Sequence, residues 1–280
     1  MSNPSTSTSR SSRSDITAEL RAAGCVFAED EARLLEAAAR TPDELHDMVA
    51  RRIAGLPLEH VLGWAEFAGR RVVVEPGVFV PRRRTEFLVE LAAALAPEGA
   101  VVMDLCCGSG AVGLALLSIL SRIELHATDV DPAATRCARR NLAGRGRVYE
   151  GDLYQPLPRE LRARVDVLVA NAPYVPTDAI ATMPPEARVF EPAVALDGGA
   201  DGLEVLRRIV ADAPSWLAPS GHLLIETSAG QSTDAVAEFV RAGLKASAVS
   251  SDEFEATVVI GTRTDQSPSD DSGPAGGRAG

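Results

Sequence analysis

Asn171, Ala172, Pro173 and Tyr174 follow directly on the apolar run VDVLVA. A strand that ends in Asn-x-Pro-Tyr delivers these residues to one edge of a sheet. Pro173 forces Ala172 towards an extended backbone and so aims its carbonyl. Asn171 offers a side-chain oxygen as a second acceptor. Two such oxygens can take both hydrogens of one planar NH2 group, and the Tyr174 ring offers a flat apolar face beside it. An amide nitrogen is a poor nucleophile because its lone pair is delocalised into the carbonyl. Accepting hydrogen bonds from both N–H groups returns density to nitrogen and aligns its lone pair with an electrophilic methyl. Positioning and preorganised electrostatics would supply most of the acceleration. No strong base is needed before attack, because the proton leaves after nitrogen becomes cationic. His46, His60, His126 and His222 are therefore read as structural or exposed.

The segment VVMDLCCGSGAVGLAL reads as strand, tight turn, helix. In open parallel sheets, ligands sit beyond the carboxyl ends of the strands, where this turn lies. Gly108 and Gly110 lack a Cβ, so the backbone can turn sharply and approach a ligand. Cys106 and Ser109 complete the loop. Asp104, at the strand end, can brace the loop and face a cationic amino group. Asp129 ends the next strand about twenty residues on, where a carboxylate can take both hydroxyls of a ribose. Asp152, with Leu153 beside it, reads equally as an acceptor for an adenine amino group and as a turn aspartate. Asn171 stands where it can serve the cofactor as well as the acceptor. Gly108, Gly110 and Gly113 also spell G-x-G-x-x-G, which a nicotinamide dinucleotide would fit. Asp104 before the glycines weighs against that, and a dehydrogenase leaves Asn171–Tyr174 unexplained.

Alternating strands and helices must hold these residues. Buried strands are expected at 101–105, 124–128, 147–150, 165–170 and 222–226, and helices at 111–121, 132–142 and 202–211. Alternation of this kind gives a mainly parallel sheet covered on both faces. Two last strands, 244–249 and 255–260, are parted by a short polar turn and read as an antiparallel closing hairpin. Upstream, 15–63 is a helical domain. Thr41, Pro42 and Glu44 form a capping box, Leu45, Val49 and Ile53 share one helix face, and Gly55 with Pro57 stops that helix. Residues 64–81 read as a β-hairpin linker. Thr85 is expected to cap a helix with Leu88, Leu91 and Leu95 inward. The main α/β domain spans 82–261. Residues 1–14 and 262–280 are polar, without apolar periodicity, and are expected to be disordered.

The formal net charge of −11 over 280 residues argues against a dedicated nucleic-acid binder, whose affinity comes largely from basic side chains. Arg82, Arg83 and Arg84 form a local basic run. No apolar stretch is long enough to cross a bilayer. Cys25, Cys106, Cys107 and Cys137 form no metal-ligand spacing, so no metal is expected and the thiols read as reduced in a cytoplasmic protein.

At these residues the sequence resembles the PrmC/HemK-type protein-(glutamine-N5) methyltransferases. The resemblance runs from about Leu56 to Ile260. GLPLEHVLGWAEFAGRRVVVEPGVFVPRRRTEFLVE is similar to the family's linker and its PRPDTE-type motif. The glycine loop, Asp129, GDLYQPL, NAPY, EPAVALDGGADGL and LLIETSAGQ follow in family order. The resemblance implies a class I methyltransferase fold, Rossmann-like, with a mostly parallel seven-stranded sheet, an antiparallel closing hairpin and a small N-terminal helical domain. It implies S-adenosyl-L-methionine as cofactor and the glutamine of a peptide-chain release factor as acceptor. Separately, the protein is expected to be a monomer. Asn171 and the Ala172 carbonyl would bind the acceptor amide, and Asp129 the ribose. Three departures stand out. NPPY is NAPY here, which keeps the backbone carbonyl and gives up stiffness. The first loop glycine is Cys106. PRPDTE is PRRRTE, and its added charge near the acceptor mouth points to a different protein partner. A nucleic-acid exocyclic-amine (adenine N6-type) methyltransferase uses a similar turn and is the main alternative. A catalytically weak cofactor-binding scaffold is a further one.

Overall fold

The computed structural model describes residues 13–264. Four helices come first: α1 (Arg13–Ala22), α2 (Ala28–Ala38), α3 (Pro42–Ile53) and α4 (Leu58–Leu62). They share a core of Ile16, Leu20, Leu35, Met48, Val49 and Val61. The Thr41 hydroxyl caps α3 by accepting from the Glu44 N–H at 3.1 Å, and Glu44 accepts from the Arg40 N–H at 2.8 Å. Ile53 is exposed, against expectation. The buried face of α3 is Met48, Val49 and Arg52. Arg52 takes the inward place because Glu31 of α2 meets it with two bonds, at 2.7 and 3.2 Å.

Strands β1 (Trp64–Phe67) and β2 (Arg70–Val73) form the hairpin, shorter than the expected 64–81. Residues 74–82 run on without a strand. A 3-10 turn, Arg83–Thr85, leads into α5 (Glu86–Leu95). Thr85 makes no side-chain cap, because its hydroxyl is used elsewhere. On α5, Leu88 is buried, whereas Leu91 and Leu95 are only partly so.

The remaining elements alternate: β3 (Val101–Leu105), α6 (Ala111–Ile119), β4 (Glu124–Asp129), α7 (Pro132–Leu142), β5 (Gly146–Glu150) and β6 (Val165–Ala170). After β6 come α8 (Pro185–Phe190), α9 (Glu204–Trp216), β7 (Leu217–Thr227), α10 (Ser232–Arg241), β8 (Leu244–Ser251) and β9 (Ala256–Arg263). The sheet order is β5-β4-β3-β6-β7-β9-β8, parallel from β5 to β7, with β9 antiparallel to both of its neighbours. This is the class I methyltransferase sheet with its closing hairpin. One apolar layer, including Ile209, Trp216 and Phe239, packs α9 and α10 on one face. Another, including Leu88, Leu116 and Leu142, packs α5, α6 and α7 on the other.

Helix α1 begins at Arg13, inside the stretch expected to be disordered, and β9 continues to Arg263, past the expected end of the domain. The rest of both proposed tails, residues 1–12 and 265–280, lies outside the described residues. Among the described residues, no helix is long and apolar enough to cross a membrane, and no cluster of His, Cys, Asp and Glu could hold a metal.

Candidate active site

Sheet register gathers the site. Leu105 pairs with Thr128 and with Ala170, and Ala170 pairs with Ile225. The residues that follow, Cys106, Asp129, Asn171 and Glu226, therefore leave four neighbouring strands at one edge. The strand order reverses between β3 and β6, and a crevice opens at such a switch point. The cavity here has a volume of about 850 Å³. Cys106, Gly108, Asp129, Asp152 and Leu153 line one side, and Asn171, Ala172, Pro173 and Tyr174 the other. Met183, Glu186 and Glu191 form a rim with Pro57 and Glu59 of the helical unit.

Asp129 accepts from the Gly108 N–H at 2.8 Å and from the Asp131 N–H at 2.9 Å, one bond on each oxygen. Each oxygen keeps a lone pair for a further donor. Burial pushes its carboxyl up, and the two backbone bonds oppose that. Gly108 has φ +54°, and a Cβ there would meet nothing within 4 Å. The backbone thus faces open space. Thr128 also lines the cavity, and its hydroxyl is buried with no hydrogen-bond partner among the described residues. Asp152 is paired with Arg208 at 2.5 Å and accepts from Gln155 at 3.3 Å.

Three loop positions sit off the main cavity. Asp104 is 2% exposed and accepts from the Gly113 N–H at 3.1 Å, which ties the strand end to α6. Burial pushes its carboxyl up to about 7. Asp104 and the buried Ser109 border only a small side cavity, which Asn171 also lines. Gly110 lines neither. Its φ is +77°, and a Cβ would sit 3.1 Å from that of Ala138, so close packing of α7 explains this glycine.

On the other side, Asn171 Nδ2 donates to Thr85 Oγ1 at 3.1 Å. That leaves Oδ1 as the free acceptor of the amide. The Tyr174 hydroxyl donates to Glu226 at 3.4 Å, and burial, then the Glu226 charge, push the phenol up to about 12. Gln231 Nε2 donates to the Tyr174 carbonyl at 3.0 Å and to that of Asp201 at 2.9 Å. Gly202 makes this clamp possible: a Cβ there would collide with both Gln231 Nε2 and the Tyr174 carbonyl. Local sequence assigns Thr85, Glu226 and Gln231 no role beyond family motifs and a helix cap. Each acts across more than fifty residues, and no local spacing reports that.

The methyltransferase small domain model matches residues 69–193. The release factor glutamine methyltransferase of Geobacter sulfurreducens is 40% identical over 208 residues, covering 72% of each chain. That of Mycolicibacterium smegmatis is 39% identical over 234 residues, 81% of this chain and 82% of its own. The chain belongs to the release factor glutamine methyltransferase family. A methyltransferase from Pyrococcus furiosus shares the fold, with a TM-score of 0.53 at 16% identity over 70% of this chain and 90% of its own.

Within that family, this chain's departures have structural settings. Cys106 holds φ +54°, left-handed backbone that favours glycine. Burial and the nearby Asp129, Asp104 and Asp152 charges push its thiol far up. In PRRRTE, Arg82 is fixed on Glu191 at 2.6 and 2.7 Å, and Arg84 lies 3.9 Å from Glu226. Arg83 reaches over the Phe254 ring at 6.0 Å. Arg82 is common to the family motif; of the two added cations, Arg84 has a carboxylate at 3.9 Å and Arg83 is exposed beside a ring.

Proposed function

We propose that this methyltransferase acts on the side-chain amide nitrogen of a glutamine in a peptide-chain release factor, with S-adenosyl-L-methionine as methyl donor. The observation that carries this reading is the anchored Asn171. Its Nδ2 is tied to Thr85, its oxygen is the group left to accept, and the residue lines the same cavity as Asp129 and Gly108.

The far wall suits the cofactor. Asp129 keeps lone pairs for ribose hydroxyls, and the Gly108 backbone is bare. Asp152 can add an acceptor beside Leu153, though Arg208 already engages it. Asp104 supports the loop from behind and contributes negative potential. When bound, S-adenosyl-L-methionine supplies an electrophilic methyl on a sulfonium centre. Asn171 Oδ1 and the Ala172 carbonyl take the two hydrogens of the glutamine NH2, while the Tyr174 ring supports its plane. Fixing that group in line lowers the entropy cost of reaction, and the two oxygens favour the cationic nitrogen that forms. Pro173 keeps the Ala172 carbonyl directed. The helical unit, whose Pro57 and Glu59 meet the cavity rim, helps receive a protein substrate. The enzyme works as a cytoplasmic monomer in this reading, without stable nucleic-acid contact.

Incubation of the full-length protein with labelled cofactor and purified release factors tests the proposal. Label on a glutamine, located by mass spectrometry, is the expected result. Label on another residue type, or only on rRNA or DNA, refutes the acceptor assignment.

A further inference from the structure

Glu226 is a carboxyl group inside a sheet. It pairs with Val258 across β7 and β9 and is 2% exposed. Its Oε1 takes the Tyr174 hydroxyl at 3.4 Å, with Arg84 3.9 Å away. Its Oε2 is buried without a hydrogen-bond partner among the described residues. Folded proteins leave few buried polar groups in that state, and each one asks for a reason.

Thr85 supplies the reason. It is buried, and its Oγ1 accepts from Asn171 Nδ2 at 3.1 Å. Among the described residues no hydrogen bond of ordinary geometry joins that hydroxyl to the Glu226 carboxyl, but Thr85 lies close enough to oppose the effect of burial there, and Glu226 Oε2 lacks the donor that the Thr85 proton would supply. A hydroxyl has one proton to give. If Glu226 receives it, Thr85 can offer Asn171 only lone pairs. The Asn171 amide must then turn its NH2 to Thr85 and its oxygen away. The two ends of an amide are nearly identical in shape, so hydrogen bonding alone chooses between them. In the reversed orientation, an NH2 would confront the NH2 of the acceptor.

We propose that Glu226 is a positioning residue that sets the direction of the Thr85 hydroxyl and, through it, which face of the Asn171 amide meets the substrate. This rests on the acceptor role given to Asn171 above.

The test measures methyl transfer from S-adenosyl-L-methionine to a purified release factor by full-length variants. Glu226→Leu lowers kcat about tenfold or more, with the KM for the cofactor within about twofold. Glu226→Gln, which retains an acceptor oxygen, returns kcat to within about threefold of the parent. Thr85→Val repeats the loss found in Glu226→Leu and Thr85→Ser does not, which decides the matter even if Glu226→Leu does not fold. In an Asn171→Ala background, Glu226→Leu costs less than about twofold more, because a residue acting through Asn171 has nothing left to orient. Full parental kcat in folded Glu226→Leu, or an undiminished loss in the Asn171→Ala background, overturns the relay and leaves the acceptor reading standing. Parental kcat in Asn171→Ala alone overturns both.

Discussion

Replacing Asp104 with asparagine removes a charge and keeps a shape. The wild-type carboxyl is 2% exposed and has one backbone partner, the Gly113 N–H. Burial, aided by the Asp129 charge, lifts it from 3.8 to about 7. For an acid raised in the folded state, the favourable contribution is complete below the unfolded value and is lost as pH climbs through the folded one. Each decade is worth about 1.4 kcal/mol, so the folded state forfeits roughly 1.5 kcal/mol by pH 5 and about 4 kcal/mol by pH 8. Asparagine does not titrate, and its oxygen can still accept from Gly113. Its buried NH2 costs about 1–3 kcal/mol at every pH. The net effect at one pH is thus small or of either sign, but its slope is fixed. From pH 5 to pH 8, the stability of Asp104→Asn relative to wild type should rise by roughly 2–3 kcal/mol, or about 5–10 °C in relative midpoint. Thermal melts at both pH values measure it. A relative midpoint that does not move with pH refutes the account of Asp104 as a buried, destabilising charge. Isothermal titration should also show the variant binding S-adenosyl-L-methionine more weakly, since its negative potential is gone.

Asn171→Ala should cut turnover about 100-fold while cofactor affinity changes little, by analogy with the loss of one preorganised hydrogen-bonding group. Asp129→Ala removes a charged acceptor, so cofactor Kd should rise about 10- to 100-fold by calorimetry; the kcat of saturated enzyme should change much less. Gly202→Ala forces a Cβ against Gln231 and the Tyr174 carbonyl at positive φ, and should destabilise by about 2 kcal/mol or more in denaturant titration. The Cys106 thiol, pushed up by burial and three carboxylates, should alkylate at pH 8 far more slowly than a free cysteine, as followed by mass spectrometry.

The strand and helix pattern from Val101 to Ile260 was legible because buried strands and glycine turns are local signals. The capping box at Thr41 and Glu44 was legible for the same reason. Other positions read differently in three dimensions. Gly110 looked like a ligand-facing glycine and answers instead to Ala138. Thr85 has the look of a helix cap, yet its hydroxyl reaches a partner 86 residues away. Ile53 fitted a helical stripe, but Arg52 took the inside because Glu31 could pair with it. Helix α10 is not among the helices the sequence led us to expect; Phe239 on it packs into the apolar layer under the sheet. Periodicity reports which face is apolar. It is silent about side chains that meet across the fold.

Arg52 closes a longer circuit. Besides Glu31, its guanidinium holds Glu186 of the cavity rim at 2.8 Å, and Gly55 leaves room for the Phe190 ring 3.4 Å from where a Cβ would be. One cation is therefore the shared counter-ion of a helix in the first unit and of the wall around the mouth. Pulling α3 outward strands a carboxylate on one side or drags the rim with it. Load placed on the helices is felt at the opening.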